Sequence, residues 1–173
     1  LMAFLGPAAR LSHLPHATRS RPVTLTYRDA TAADLGFIVR LIVDDNVVPT
    51  ADRPDEPDHP RYLAALAAIN ADPNQRLVIA ELDGAPVGTL QLTFIPGIAR
   101  FGETRCLIEA VHVAPTHRNL GLGSQLIRWA VDLAKARNCG LVQLTSNKKR
   151  LDAHRFYERL GFSKSHEGFK LAI

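Results

Sequence analysis

Apolar side chains recur along this 173-residue chain with periods that alternate between those of strands and helices. Val23–Arg28 alternates Val, Leu and Tyr with Thr and predicts a first strand. Thr31-Ala-Ala-Asp34 then makes a capping-box-like start, and Leu35, Ile38, Val39, Ile42 and Val43 form one apolar helical face. Prolines at 49, 54, 57 and 60 exclude a continuous helix over Asp44–Arg61, and Pro60–Ala71 returns to helix with Tyr62, Leu63, Leu66 and Ile69 on one side. Arg76–Leu82 and Val87–Phe94 read as strands joined by a hairpin at Asp83-Gly84. Leu107–Val113 is apolar and partly β-branched, predicting a buried strand that Pro115 stops. Leu126, Ile127, Ala130, Val131, Leu133 and Ala134 mark a helix over Ser124–Arg137, ended by Asn138–Gly140. Leu141–Thr145 is a short strand, Asp152–Leu160 a helix stopped by Gly161, and Phe162–Ile173 a strand, a turn at Glu167-Gly168 and a strand. The order βααβββαβαββ is that of a mixed α/β domain, and no internal repeat interrupts it.

Composition narrows this reading. With 46% hydrophobic and 22% charged residues, the chain is of ordinary globular type and fits one domain with a proper core. The net charge of +4 suits a polyanionic small ligand and is too small to argue for nucleic acid. Cys106 and Cys139 offer neither a disulfide framework nor a zinc-type spacing, so a reducing cytoplasm is expected, and no residue is singled out as a metal ligand. No apolar run approaches the ~20 residues needed to span a membrane. Leu1–Pro22 contains Arg10, Arg19 and Arg21 and no acid. That composition resembles a transit segment, and a disordered tail would share it. The plainer reading places a disordered tail at 1–22 and the domain at 23–173.

The chemistry is concentrated after the Leu107–Val113 strand, at Arg118-Asn119-Leu120-Gly121-Leu122-Gly123-Ser124. A strand, a glycine loop and a helix in that order aim unpaired backbone N–H groups and the positive helix end at one point, which is an anion site. Gly121 and Gly123 keep Cβ atoms away from the anion, and Arg118 adds a fixed positive charge. Neither the triphosphate pattern G-x-x-x-x-G-K-[ST] nor the dinucleotide pattern G-x-G-x-x-G is present. Glu109 stands in the apolar strand, where a carboxylate must be neutralised, paired or facing a wet cleft; it reads either as a base or as half of a structural ion pair. His112 is a second candidate base or a packed strand residue. Strict alternation would put the two on opposite faces, whereas a bulge would bring them together. Tyr157, beside Phe156, reads on composition as amphipathic core. Asp44, Asp45, Asp52, Asp55, Glu56 and Asp58 make an acidic loop that is either solvated or attractive to a cationic amine.

The sequence R-x-x-G-x-G in this setting resembles the GNAT superfamily of acetyl-CoA-dependent N-acetyltransferases, whose pattern Q/R-x-x-G-x-G/A cradles the coenzyme A pyrophosphate. Ala153, Phe156, Tyr157, Gly161 and Phe162 match a second family pattern, A-x-x-F-Y-x-x-x-G-F. The resemblance covers Val23 to the C-terminus. It implies the GNAT fold: a mostly antiparallel mixed sheet splayed between two middle strands, with helices on both faces. It also implies acetyl transfer from acetyl-CoA to a primary amine of a small molecule by direct attack in a ternary complex. Val111, His112 and Val113 are then expected to hold the pantetheine arm along a bulged strand, with residues 118–124 around the pyrophosphate. Glu109 is implied as general base, usually through water, Tyr157 as the acid that protonates the coenzyme sulfur, and Asn147 as a coenzyme contact. Lys148, Lys149 and Arg150 either approach the 3′-phosphate or form a solvated turn. The run from Ser146 to Tyr157, with Ser165-His166, resembles the branch containing aminoalkylphosphonate N-acetyltransferases. A homodimer is implied as well. Acetylation of a protein N-terminus or lysine is the alternative within catalysis. A non-catalytic acetyl-CoA sensor would keep Arg118, Gly121 and Gly123 but need neither Glu109 nor Tyr157.

Overall fold

The computed structural model describes residues 24–46 and 50–171. One five-stranded sheet runs in the order β1 (Thr26–Asp29), β2 (Gln75–Leu82), β3 (Ala85–Ile95), β4 (Arg105–Val113) and β5 (Leu141–Leu144). The first four strands are antiparallel to their neighbours, and β5 lies parallel to β4. Around the sheet are α1 (Leu35–Asp44), α2 (Pro60–Ala71), a single turn α3 (Ala99–Gly102), α4 (Leu122–Ala136) and α5 (Leu151–Arg159).

Helices cover both faces, and this explains why β2 carries apolar residues at consecutive positions. Leu77 and Ile79 pack with Leu35 and Ile38 of α1 and Leu66 of α2. Val78 and Ala80 point the other way, into a larger core with Leu122, Leu126, Ile127 and Ala130 of α4 and with Cys106 and Ile108 of β4. Cys106 is fully buried there. The start of α1 is tied to the sheet by Arg28, which pairs with Asp34 at 2.7 Å and with Glu81 at 2.7 Å. Asp34 also accepts the Thr31 backbone N–H at 2.7 Å, the reciprocal half of a capping box.

Several expectations shift. The first strand begins at Thr26, and Val23 lies outside the described residues, as does the 1–22 segment. α4 opens at Leu122, two positions ahead of the expected Ser124. The splay falls between β4 and β5, where β5 is the outermost strand rather than a middle one. The expected closing strands over Phe162–Ile173 do not form across residues 162–171, and residues 172–173 lie outside the described residues. The physical reason is visible in Phe169 and Leu171, which are 95% and 89% exposed. Neither apolar residue is buried, so nothing offsets the entropy of ordering a strand there.

Candidate active site

Two local irregularities build the site. Across the β3–β4 ladder Gln91 faces Glu109 and Thr89 faces His112, so two residues of β3 span three of β4 and one residue of β4 is extra. Ala110, at φ 48, marks this bulge. Because Thr89 and Gln91 share a face, Glu109 and His112 do too. Gly88 admits the distorted strand: a Cβ there would stand 2.9 Å from the His112 carbonyl oxygen. The second irregularity is the early end of β5. Its pairing with β4 stops at Ile108↔Leu144, and β4 continues through Glu109–Val113 with no strand on that side among the described residues. A gap therefore opens beside the bulge.

At the end of β4 lies the glycine loop. Asn119 at φ 63 and Gly121 at φ 76 are both left-handed, turning the chain sharply into α4. The first main-chain N–H of the helix with a backbone partner is that of Gln125, which donates to the Gly121 carbonyl at 3.2 Å. The amides of residues 122–124 make no backbone hydrogen bond among the described residues and stand at the helix's positive end. They border a cleft of about 280 Å³ lined by Val113, His117, Arg118, Asn119, Gly121, Leu122, Gly123, Ser124, Phe156 and Arg159. Amides, two arginines and a histidine around an open cleft have the donor set a diphosphate requires. Leu120, grouped with these residues in the sequence, is instead 55% exposed and does not line the cleft.

The remaining predicted residues divide. Glu109 is exposed and has no ion pair among the described residues, which removes the structural-pair reading. Tyr157 is partly buried, edge-on between the rings of Phe156 at 5.1 Å and Phe162 at 5.9 Å. Burial pushes its hydroxyl pKa up, Arg150 works against that rise, and Asp45 adds to it. Tyr157 thus packs as core and also feels the charges of the site. Asn147 is exposed; its side-chain oxygen accepts the Lys149 N–H at 2.9 Å and its carbonyl meets His154 Nε2 at 3.0 Å.

Asp45 and Arg150 were hidden inside runs of like charge. Asp45, next after α1, is not part of a solvated acidic loop: its carboxylate meets His112 Nδ1 at 3.1 Å, an Arg150 guanidinium nitrogen at 2.5 Å and Arg118 at 3.4 Å. Burial alone would raise its pKa, but the hydrogen bonds from His112 and Arg150 prevail and bring it down to about 2. Arg150, grouped in the sequence with Lys148 and Lys149, is turned inward to this carboxylate. Phe156 and Arg159 were also missed as cleft residues; their i, i+3 spacing on α5 was the available signal.

A family model described as the acetyltransferase (GNAT) family matches residues 26–162. The chain belongs to that family. It is an acetyl-CoA-dependent N-acetyltransferase, and the cradle before α4 fits the diphosphate of that donor. This GNAT chain is 36% identical over 122 residues to an aminoalkylphosphonate N-acetyltransferase of Salmonella typhimurium, spanning 69% of this chain and 77% of that one. It is 38% identical over 84 residues to a glucosamine 6-phosphate N-acetyltransferase of Trypanosoma brucei brucei, spanning 49% and 54%. Among solved structures, one from Bacillus halodurans C-125, described as a transcriptional regulator, superposes with a TM-score of 0.82. That pair is 41% identical and covers 87% of this GNAT chain and all of the other. Among the described residues no helix is long and apolar enough to cross a membrane. No group of three His, Cys, Asp or Glu side chains there could hold a metal ion.

Proposed function

We propose that the enzyme acetylates the primary amine of a small molecule by direct attack within a ternary complex. The observation that carries this reading is the β4 bulge at the β4–β5 gap, which puts Glu109 and His112 on one face of the strand that leads to the glycine cradle. When bound, acetyl-CoA supplies an acetyl group activated as a thioester. Arg118, Arg159 and the amides of 122–124 hold the diphosphate, and the edge of Val111–Val113 that faces the gap holds the pantetheine arm. A main-chain N–H of that segment is also placed to polarise the thioester carbonyl.

An alkylammonium is neutral only about once in ~10³ molecules at neutral pH, so a base is needed. We assign this role to Glu109, which is exposed to solvent on the His112 side and can act through a water molecule. The amine nitrogen bonds to the acetyl carbon, the carbon–sulfur bond breaks, and Tyr157 gives its proton to the departing sulfur. The raised Tyr157 pKa keeps that proton in place until it is needed. Both named relatives act on amines that also carry a phosphonate or phosphate, by their names. The pairing of Asp45 with Arg118 and Arg150 removes the charge at this position that would oppose such an acceptor. Aminoalkylphosphonates and amino-sugar phosphates therefore head the list of acceptors. A homodimer in the cytoplasm completes the reading, with both cysteines as free thiols.

The test is thiol release from acetyl-CoA across a panel of primary amines. Turnover with at least one small amine, falling roughly 10²-fold in Glu109→Gln with donor affinity kept, is the expected result. Turnover confined to peptides would move the enzyme to protein acetylation. Binding of the donor with no acceptor turned over would make it a sensor.

A further inference from the structure

We infer that Asp45 is a positioning residue for acetyl transfer, anchoring side chains that reach the site from three separate elements. His112 comes from the bulge of β4, Arg118 from the coenzyme loop and Arg150 from the residue before α5. Without a common partner these three would sit at the meeting point of the donor cleft and the gap as uncompensated donors, two of them permanently charged. Asp45 has the means to hold them. It follows the last residue of α1, its side chain is only 18% exposed, and both of its oxygens are engaged, Oδ2 by His112 and Arg150 and Oδ1 by Arg118.

The consequences differ at each partner. His112 donates an Nδ1–H hydrogen bond to the Asp45 carboxylate, which fixes the ring on the same face as Glu109. Arg118 is stretched between Asp45 and the Val113 carbonyl, 3.2 Å from its Nε, and so is held at the cleft wall before a diphosphate arrives. Arg150 ties the start of α5, and with it Tyr157, to the end of α1. One carboxylate therefore sets the distance between the donor cradle, the bulge and the helix that carries the acid. A shift of ~1 Å in such a frame can cost ~10² in rate.

This role rests on the ternary-complex reading above, and the experiment separates the two. Asp45→Asn keeps the size of the side chain and one acceptor for His112 but loses the charge that binds both arginines. With the amine that wild type turns over, kcat in Asp45→Asn should fall between about 10- and 100-fold. The dissociation constant for coenzyme A, measured by calorimetry, should rise no more than about tenfold, and the protein should stay folded at the assay temperature although its thermal midpoint falls with the loss of the Asp45 charge. Asp45→Glu should recover part of kcat, and Asp45→Asn should cost little further when placed on Arg150→Met. An unchanged kcat, or a loss that multiplies fully with that of Arg150→Met, would overturn the role given to Asp45 while leaving acetyl transfer intact. A wild-type protein that releases no thiol with any amine would take away the transfer reading itself, and this role with it.

Discussion

Tyr157 tests how one side chain can serve two purposes. Its ring contributes to the core through Phe156 and Phe162, and only its hydroxyl is free for chemistry. Tyr157→Phe should therefore lower kcat by roughly 10²-fold while the thermal midpoint shifts by less than ~3 °C, read from steady-state rates and calorimetry. Gly121 poses a different problem. No protein atom lies within 4 Å of where its Cβ would be, and the left-handed φ of 76 by itself favours glycine there. Gly121→Val should cost about 1–3 kcal/mol of strain or re-route the loop, and coenzyme A affinity should drop at least ~10-fold by calorimetry. At this scale, motif residues were legible in the sequence because glycine and tyrosine stand out. Asp45 and Arg150 were not, because a charge inside a run of like charges looks solvated until its partner, far away in the chain, is known.

The elements followed from hydrophobic period with small errors. Pro60–Ala71 appears with the predicted ends because proline at its first position and a helical series of apolar residues agree. The β2–β3 hairpin turns at Asp83-Gly84, both at positive φ, as that pair predicts. The bulge at Ala110 is another matter: nothing in the composition of Leu107–Val113 marks the extra residue, since it arises from the register with β3. Its counterpart Gly88 gives a sharp test. A methyl group there would press the His112 carbonyl, so Gly88→Ala should destabilise the fold by about 1–3 kcal/mol in chemical denaturation and cut kcat by displacing the bulge. The failed strands beyond Phe162 show the limit of reading pattern alone, because a strand also requires a surface on which to bury its apolar side chains.

For the whole molecule, two carboxylates govern tolerance to acid. The Arg28 hydrogen bonds hold Asp34 down to about 2, and Asp45 reaches about 2 despite its burial. Both lie below the ordinary carboxylate value near 4, so each contributes stability that is complete above that value and is lost as pH falls from about 4 through about 2. The contribution is on the order of 2 kcal/mol each. Thermal midpoints followed from pH 6 to pH 2 should therefore drop most steeply below about 4, and Arg28→Met should flatten that drop. A midpoint independent of pH across this range would contradict the pairing.

Cys106 lies fully buried on the inner face of β4, and burial pushes its thiol up to about 11; the same cause raises Cys139, which is partly covered. Thiolates, not thiols, attack disulfide reagents. Native enzyme should consequently consume a colorimetric disulfide slowly in the absence of substrates. Colour that develops when donor and amine are mixed then counts liberated coenzyme and not the catalyst's own sulfur.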